Sequence, residues 1–210
     1  MKKYPKIFGF LNRLGLINRW GLMFNTKAEN VKEHSLDVAF IAHALAVIRN
    51  TYFGGTLDVA KASLYAIYHD ASEALTGDMP TPLKYFSPEV KQAMDKIEDL
   101  AVQKMVSCVP PEMQESYRQV FHIPADYKPL VKAADRLAAL AKCQEERKRG
   151  NDELIPAEAR LSEELAKSAT ELPEITYFIE NFLPGFTDPL DTLCSGNGSW
   201  VLDAEDMKEN

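Results

Sequence analysis

The chain has 210 residues, of which 46% are hydrophobic and 26% charged, as in an ordinary globular protein long enough for a substantial core. Its formal net charge is −7. This charge argues against a nucleic-acid polymer or an anionic membrane as partner, because both attract surplus Lys and Arg. A local basic pocket for a small anion remains compatible with the composition.

The cysteines and the hydropathy pattern indicate a cytoplasmic protein. Cys108, Cys143 and Cys194 are odd in number and far apart, so they suggest neither a disulfide framework nor a thiolate zinc site. No run of about 18 apolar residues is present, and therefore no transmembrane helix is predicted.

Apolar residues recur at helical spacing along most of the chain, and no convincing hairpin signal interrupts them. These patterns predict an all-α fold with about eight or nine helices. We expect one domain over residues 1–185. The remainder, 186–210, is rich in Gly, Ser, Asp and Asn, which predicts an irregular or partly disordered tail.

A helix is predicted from Val31, with Asn30 as its N-cap and Glu33 completing a capping box. His34 begins the apolar stripe of this helix, which continues through Val38 and Ile41. A histidine in such a position is more often a hydrogen-bonded core residue than a metal ligand, so it needs further support.

That support comes from the stretch Tyr68–Glu73, which follows an apolar helix capped by Asp58. On a helix, His69 and Asp70 can converge on one divalent cation, and Glu73, four residues past His69, shares the face of its imidazole. The alternative is a capped or solvated pair at a helix end. The loop that follows, residues 74–82, contains Gly and Pro residues that disfavour a regular helix, and it carries Asp78, which could equally be an ordinary turn residue.

Two further features are unusual. Asp135 lies within a predicted helix over residues 129–149 among small apolar neighbours, where a carboxylate needs a partner. Arg19 stands beside Trp20 ahead of a loop. It is either a solvated charge or a guanidinium offered to a phosphate, with Trp20 as an apolar wall.

Together, His34, His69-Asp70 and Asp135 form the ordered H…HD…D pattern of the HD-domain superfamily of metal-dependent phosphohydrolases, which the chain resembles over roughly residues 8–185. Within that superfamily it is most similar to the bacterial 5'-deoxynucleotidases. The segments that carry this resemblance are Ile17–Trp20, Glu29–Ser35, Tyr68–Glu73 and Leu75–Phe86.

The resemblance implies that one divalent transition metal ion (Mn, Co, Fe, Ni or Zn) is bound by His34, His69, Asp70 and Asp135. It also implies that Glu73 handles a proton of the attacking water or of the leaving alcohol. Substrate would be held through its phosphate by Arg19, through its sugar by Trp20, and through its 3'-hydroxyl by Asp78.

The implied reaction is hydrolysis of deoxyribonucleoside 5'-monophosphates to deoxynucleoside and phosphate, selective against ribonucleotides and broad for the base. The family also implies a homodimer, with the N-terminal helix or the 129–149 helix as interface. Another HD-type nucleotide phosphohydrolase is an alternative, although Ala74 replaces the second acid of the H-D-x-x-E-D signature of alarmone hydrolases. A helical regulatory or interaction protein with a structural metal site is a second alternative.

Overall fold

Two long helices carry most of the core in the computed structural model, which describes residues 4–84 and 86–194. They are α2 (Val31–Tyr52) and α8 (Lys128–Lys148), which pack against each other. Helix α3 (Val59–Tyr68) packs on α2, and α9 (Ile155–Ala169) packs on α8. The other helices are α1 (Ile7–Arg13), α4 (Glu73–Thr76), α5 (Thr81–Lys84), α6 (Pro88–Val106), α7 (Gln114–Phe121), α10 (Glu174–Asn181) and α11 (Leu190–Cys194).

The all-α fold is confirmed, with eleven α-helices in the described ranges. Three of them have only four or five residues, so eight have seven residues or more, in line with the eight or nine expected. None of the helices between residues 4 and 194 that the structure describes is long and apolar enough to span a lipid bilayer.

The predicted helix starts are confirmed by their cap hydrogen bonds. Asn30 Oδ1 accepts from the backbone N–H groups of Lys32 and Glu33 at 3.1 and 3.0 Å, and the Glu33 side chain accepts from the Asn30 N–H. Asp58 caps α3 in the same way by accepting from the Lys61 N–H at 3.1 Å. These caps satisfy amide groups that the first helical turn leaves unpaired.

The helix expected to continue through Glu73 ends instead at Tyr68. Residues 69–72 form a turn with i to i−3 bonds, such as Ala71 N–H to Tyr68 O at 3.1 Å. This tighter winding removes the expected sharing of one helix face by His69 and Glu73, because α-helical spacing no longer applies.

The loop predicted over residues 74–82 is also partly helical. Helix α4 stops at Gly77, whose φ of 74° is the left-handed conformation that glycine tolerates. Helix α5 carries Pro82 in its first turn, where the missing N–H is not needed. At the other end of the chain, α11 makes part of the expected irregular tail helical, and residues 195–210 lie outside the described residues.

Residues 17–30, called the 17–30 loop below, run between α1 and α2 and are held in place at two points. Asn18 and Asn30 form an isolated antiparallel bridge at its base. Near its tip, Glu146 of α8 accepts hydrogen bonds from Thr26 and from the Lys27 N–H. The loop is therefore attached to α8, a helix that is distant in sequence.

Candidate active site

Four of the predicted residues meet where α2, α8 and the turn after α3 converge. Potential ligand atoms of His34, His69 and Asp70 all lie within 4.8 Å of one another. Asp135 Oδ1 is 2.9 Å from His34 Nε2 and 4.0 Å from His69 Nε2, so it borders this cluster. The fold thus brings together two imidazoles and two carboxylates that are separated by up to 101 positions in the sequence.

The local backbone orients His69. Its Nδ1 lies 2.7 Å from the Ala66 carbonyl oxygen, which can only accept, so Nδ1 carries the hydrogen. In the neutral ring, the lone pair is then on Nε2, which faces Asp70 Oδ2 at 3.0 Å. Within the described residues, Nε2 is buried and has no partner with hydrogen-bond geometry. A ring fixed through Nδ1 with a buried, unsatisfied Nε2 fits a metal ligand.

The ionised groups stabilise one another. Burial alone would lower the pKa of His69, but the negative charges of Asp70 and Asp135 raise it to about 9. Burial would conversely raise the pKa values of Asp70 and Asp135, yet His69 and His34 hold both below the usual range. Both carboxylates are therefore ionised and available to a cation near neutral pH.

This donor set fits a divalent transition ion. Imidazole nitrogen and carboxylate oxygen together suit ions such as Mn, Co, Fe, Ni and Zn, whereas Ca prefers oxygen ligands alone. The fit rests on the unsatisfied Nε2 of His69 and on the two ionised carboxylates beside it.

Glu73 and Asp78 border the cluster and respond to its negative charge. Burial, followed by the charges of Asp70 and Asp78, raises the pKa of Glu73 to about 9. Burial and Asp70 likewise raise the pKa of Asp78, although Arg19 opposes this shift. Glu73 Oε2 is buried without a hydrogen-bond partner in the part of the chain that the structure describes. A proton can therefore reside on Glu73 near neutral pH.

Arg19 and Trp20 lie on the 17–30 loop next to this cluster. Arg19 Nη1 is 3.5 Å from Asp70 Oδ2, and the Arg19 side chain is only 13% exposed. Burial would lower the pKa of Arg19, but the charges of Asp70, Asp135 and Glu29 raise it, so the guanidinium stays charged. The Trp20 indole Nε1 donates to Glu29 Oε2 at 3.0 Å.

Two residues that organise this region were missed by the sequence reasoning. Glu29, which binds the Arg19 and Trp20 side chains, was quoted only as part of a motif. Glu146, which is fully buried and fastens the 17–30 loop, was not singled out. Its spacing of four residues from Lys142 on α8, which permits an ion pair, was the available signal.

Comparisons with known proteins agree with this arrangement. A family model described as 5'-deoxynucleotidase YfbR-like matches residues 6–186. A Yersinia pestis (strain Pestoides F) protein named 5'-deoxynucleotidase is 48% identical over 189 residues, which cover 89% of this chain and 95% of that protein.

Solved structures share the fold. An HD-domain phosphohydrolase from Listeria innocua superposes with a TM-score of 0.75 at 22% identity, covering 86% of this chain and 88% of that one. An HD phosphohydrolase of cyanophage S-2L, solved with dA and one catalytic Zn²⁺, gives a TM-score of 0.57 at 22% identity, covering 84% and 96%. With the family match over residues 6–186, the chain belongs to the YfbR-like 5'-deoxynucleotidases, phosphoric monoester hydrolases with an HD-domain fold.

Proposed function

We propose that this chain hydrolyses deoxyribonucleoside 5'-monophosphates in a reaction that requires one divalent transition metal ion. The observation that carries the proposal is the position of Arg19, whose guanidinium lies 3.5 Å from Asp70 in the candidate ligand cluster. A phosphate bound by that guanidinium would be adjacent to the cluster. Anion binding and cation binding are thereby combined in one small site.

His34, His69, Asp70 and Asp135 would hold the ion, whose identity stays open among Mn, Co, Fe, Ni and Zn. The cyanophage phosphohydrolase, which shares the fold, was solved with one catalytic Zn²⁺, and zinc is therefore one candidate. When bound, such an ion polarises a phosphoryl group and lowers the pKa of a water molecule. Asp70 and Asp135 contribute two negative charges that favour cation binding, and Ala66 keeps the His69 ring in a ligating orientation.

Glu73 is the proposed catalytic residue. Hydrolysis breaks the bond between phosphorus and the 5'-oxygen, and it moves one proton from water to the leaving alcohol. A buried carboxyl group whose pKa is raised to about 9 can exchange that proton near neutral pH. Glu73 would therefore give its proton to the 5'-oxygen and recover one from the attacking water.

Three residues would bind the substrate. A guanidinium binds phosphate oxygens through paired N–H donors, and Arg19 would use this geometry. Trp20 would occupy the space of a ribose 2'-hydroxyl and leave that group without a hydrogen-bond partner. Asp78 would accept a hydrogen bond from the 3'-hydroxyl. The resemblance implies no residue set that specifies the base, so we propose broad base use.

The setting of the enzyme is also a proposal. We propose a cytoplasmic homodimer, because the resemblance implies a dimer and the described cysteines, Cys108, Cys143 and Cys194, are free thiols. The apolar residues of α8 are buried within this chain's own core, which leaves exposed α1 and α2 side chains such as Phe8, Leu36 and Phe40 for a second subunit.

The test is phosphate release by chelator-stripped protein from 5'-deoxyribonucleoside and 5'-ribonucleoside monophosphates, with Mn, Co, Zn and Mg added back singly. We expect release from the deoxy substrates only, with at least one transition metal. Release from both sets would keep the phosphohydrolase and remove the sugar selectivity. No release with any metal would favour another phosphoester substrate or a regulatory protein.

Trp20→Ala tests the sugar contact separately. Removing the indole should admit ribonucleotides and lower the deoxy-to-ribo ratio of kcat/KM by at least tenfold, since an apolar wall against a hydroxyl is worth on the order of a hundredfold in comparable sites. An unchanged ratio in this variant would exclude Trp20 from selectivity.

A further inference from the structure

We propose that Glu29 is a positioning residue that sets both phosphate affinity and sugar selectivity by fixing Arg19 and Trp20 with one carboxylate. The proposal rests on the proposed function, because Arg19 and Trp20 are substrate contacts only there. Glu29 itself lies beside the predicted substrate contacts and is assigned no contact with substrate.

The geometry around Glu29 joins the two side chains at a single oxygen. Glu29 Oε2 accepts from Arg19 Nε at 3.3 Å and from Trp20 Nε1 at 3.0 Å. The Glu29 backbone oxygen also accepts from the Arg19 N–H at 2.9 Å. The Glu29 side chain is 12% exposed, so these contacts are largely removed from solvent. Hydrogen bonds to a partly buried carboxylate are stronger than those between neutral groups.

The backbone of Trp20 is also held in an unusual conformation. Trp20 has a φ of 58° and is the one residue other than glycine with a positive φ among those that the structure describes. Its carbonyl oxygen accepts from the Met23 N–H at 2.9 Å and from Asn25 Nδ2 at 3.3 Å. The backbone conformation and the Glu29 hydrogen bond thus fix the two ends of the residue, so the direction of the indole ring depends on both.

Arg19 is oriented in the same way. A guanidinium has five N–H donors, and the contacts to Glu29 and Asp70 use its Nε and Nη1 ends. Glu29 holds the Nε end of the guanidinium, and this contact keeps Nη1 beside Asp70 in the candidate metal site. Without Glu29, the guanidinium would lose one of two fixed anionic partners, and its orientation toward a phosphate would be less defined.

The backbone of the loop has its own attachment, which separates the effect of Glu29 from loop unfolding. Thr26 N–H and Oγ1 each donate to Glu146 Oε2 at 2.8 Å, and Asn151 Nδ2 donates to the Phe24 carbonyl oxygen at 3.0 Å. These bonds do not involve Glu29. A substitution there should therefore release two side chains while the 17–30 loop remains docked on α8.

The experiment uses the full chain with Trp200→Phe, which leaves Trp20 as its single tryptophan. In this background, Glu29→Ala and Glu29→Gln are compared with Glu163→Gln, a control that removes the same charge from an exposed ion pair with Lys167. Fluorescence anisotropy and acrylamide quenching report the order of Trp20 without any assumption about activity. kcat and KM for matched deoxy and ribo monophosphates report its consequence.

For Glu29→Ala we expect lower anisotropy, at least twofold faster quenching, a KM raised about tenfold, and a deoxy-to-ribo ratio lowered about tenfold. In Glu29→Gln, an amide oxygen can still accept from the indole, so the order of Trp20 and the deoxy-to-ribo ratio of kcat/KM should persist. KM should rise because the negative charge beside Arg19 is lost. The Glu163→Gln control should match the parent in every measurement.

Unchanged anisotropy and quenching in Glu29→Ala would overturn the positioning role, whatever the activity. A mobile Trp20 with an unchanged sugar ratio and KM would overturn the proposed link from Glu29 to specificity. If the parent enzyme did not hydrolyse deoxynucleotides, the proposed function would fail, and that result would be distinct because the fluorescence measurements do not depend on turnover.

Discussion

Glu73 and Glu146 are both buried carboxyl groups, but their surroundings are opposite. Glu146 is 0% exposed, and its two oxygens accept from the Thr26 N–H and hydroxyl, the Lys27 N–H, Lys142 Nζ and Asn151 Nδ2. In Glu73, one buried oxygen has no partner among the described groups, and negative charges of Asp70 and Asp78 lie nearby.

The pKa values follow these surroundings. Burial alone would raise the pKa of Glu146, but the hydrogen bonds from Asn151, Lys142 and Thr26 hold it well below its usual range. Burial and like charges raise the pKa of Glu73 to about 9. A buried carboxylate with satisfied oxygens stabilises the fold, whereas one without partners is available for chemistry.

The largest expected effect is on catalysis. Glu73→Gln should lower kcat about 10²- to 10⁴-fold because it removes the proposed proton carrier while keeping a similar shape. Its free energy of unfolding should change by less than about 1 kcal/mol, since few contacts are lost. Phosphate release and urea denaturation measure the two quantities. Full activity in this variant, with bound metal verified by elemental analysis, would contradict the role of Glu73.

Glu146→Gln should instead lower the free energy of unfolding strongly and change kcat little. The amide would present donors to groups that are themselves donors and would leave Lys142 buried without its anion, so the variant should lose roughly 2–4 kcal/mol of unfolding free energy. At a temperature where it stays folded, kcat should be within about tenfold of the parent. A stability equal to that of the parent would show that the Glu146 bonds contribute little.

Acid should weaken the stabilisation that the Glu146 carboxylate gives to the fold. The folded pKa of Glu146 lies below the ordinary value of 4.5, so its stabilisation is complete above about pH 6 and declines as the pH falls through 4.5. The difference in unfolding free energy between the parent and Glu146→Gln should therefore shrink under acid conditions. A constant difference from pH 7 to pH 3.5 would contradict this account.

The smallest effect is expected for Asn151→Ala. This change removes one donor to Glu146, at 2.8 Å, and one to the Phe24 carbonyl oxygen, while four donors to Glu146 remain. A loss of about 1–2 kcal/mol is expected from chemical denaturation. A loss as large as that of Glu146→Gln would mean that the Asn151 hydrogen bonds, rather than the negative charge of Glu146, contribute most of the stability around Glu146.

Sequence reasoning was accurate for the features set by neighbouring residues. The capping box at Asn30 and the apolar stripe through His34 both depend on spacings of three or four residues, and both are present. The fold also juxtaposes His34, His69, Asp70 and Asp135, which had been grouped through a family resemblance.

The features that were missed depend on distant partners. Glu146 is bonded to Thr26 across 120 positions, and no local pattern specifies such a pair. Glu29 acts on Arg19 and Trp20 through a loop without periodicity. The end of α3 at Tyr68 was missed because no Gly or Pro follows it before Gly77, while the tertiary site selects a turn.

The attachment of the 17–30 loop to Glu146 has a consequence for amide hydrogen exchange. Thr26 and Lys27 lie in a loop without a backbone ladder, yet their N–H groups are donated to a carboxylate of α8. Their hydrogens can exchange with deuterium only when the loop separates from that helix. The exchange rates of these two amides therefore measure how often the Arg19 and Trp20 side of the site opens.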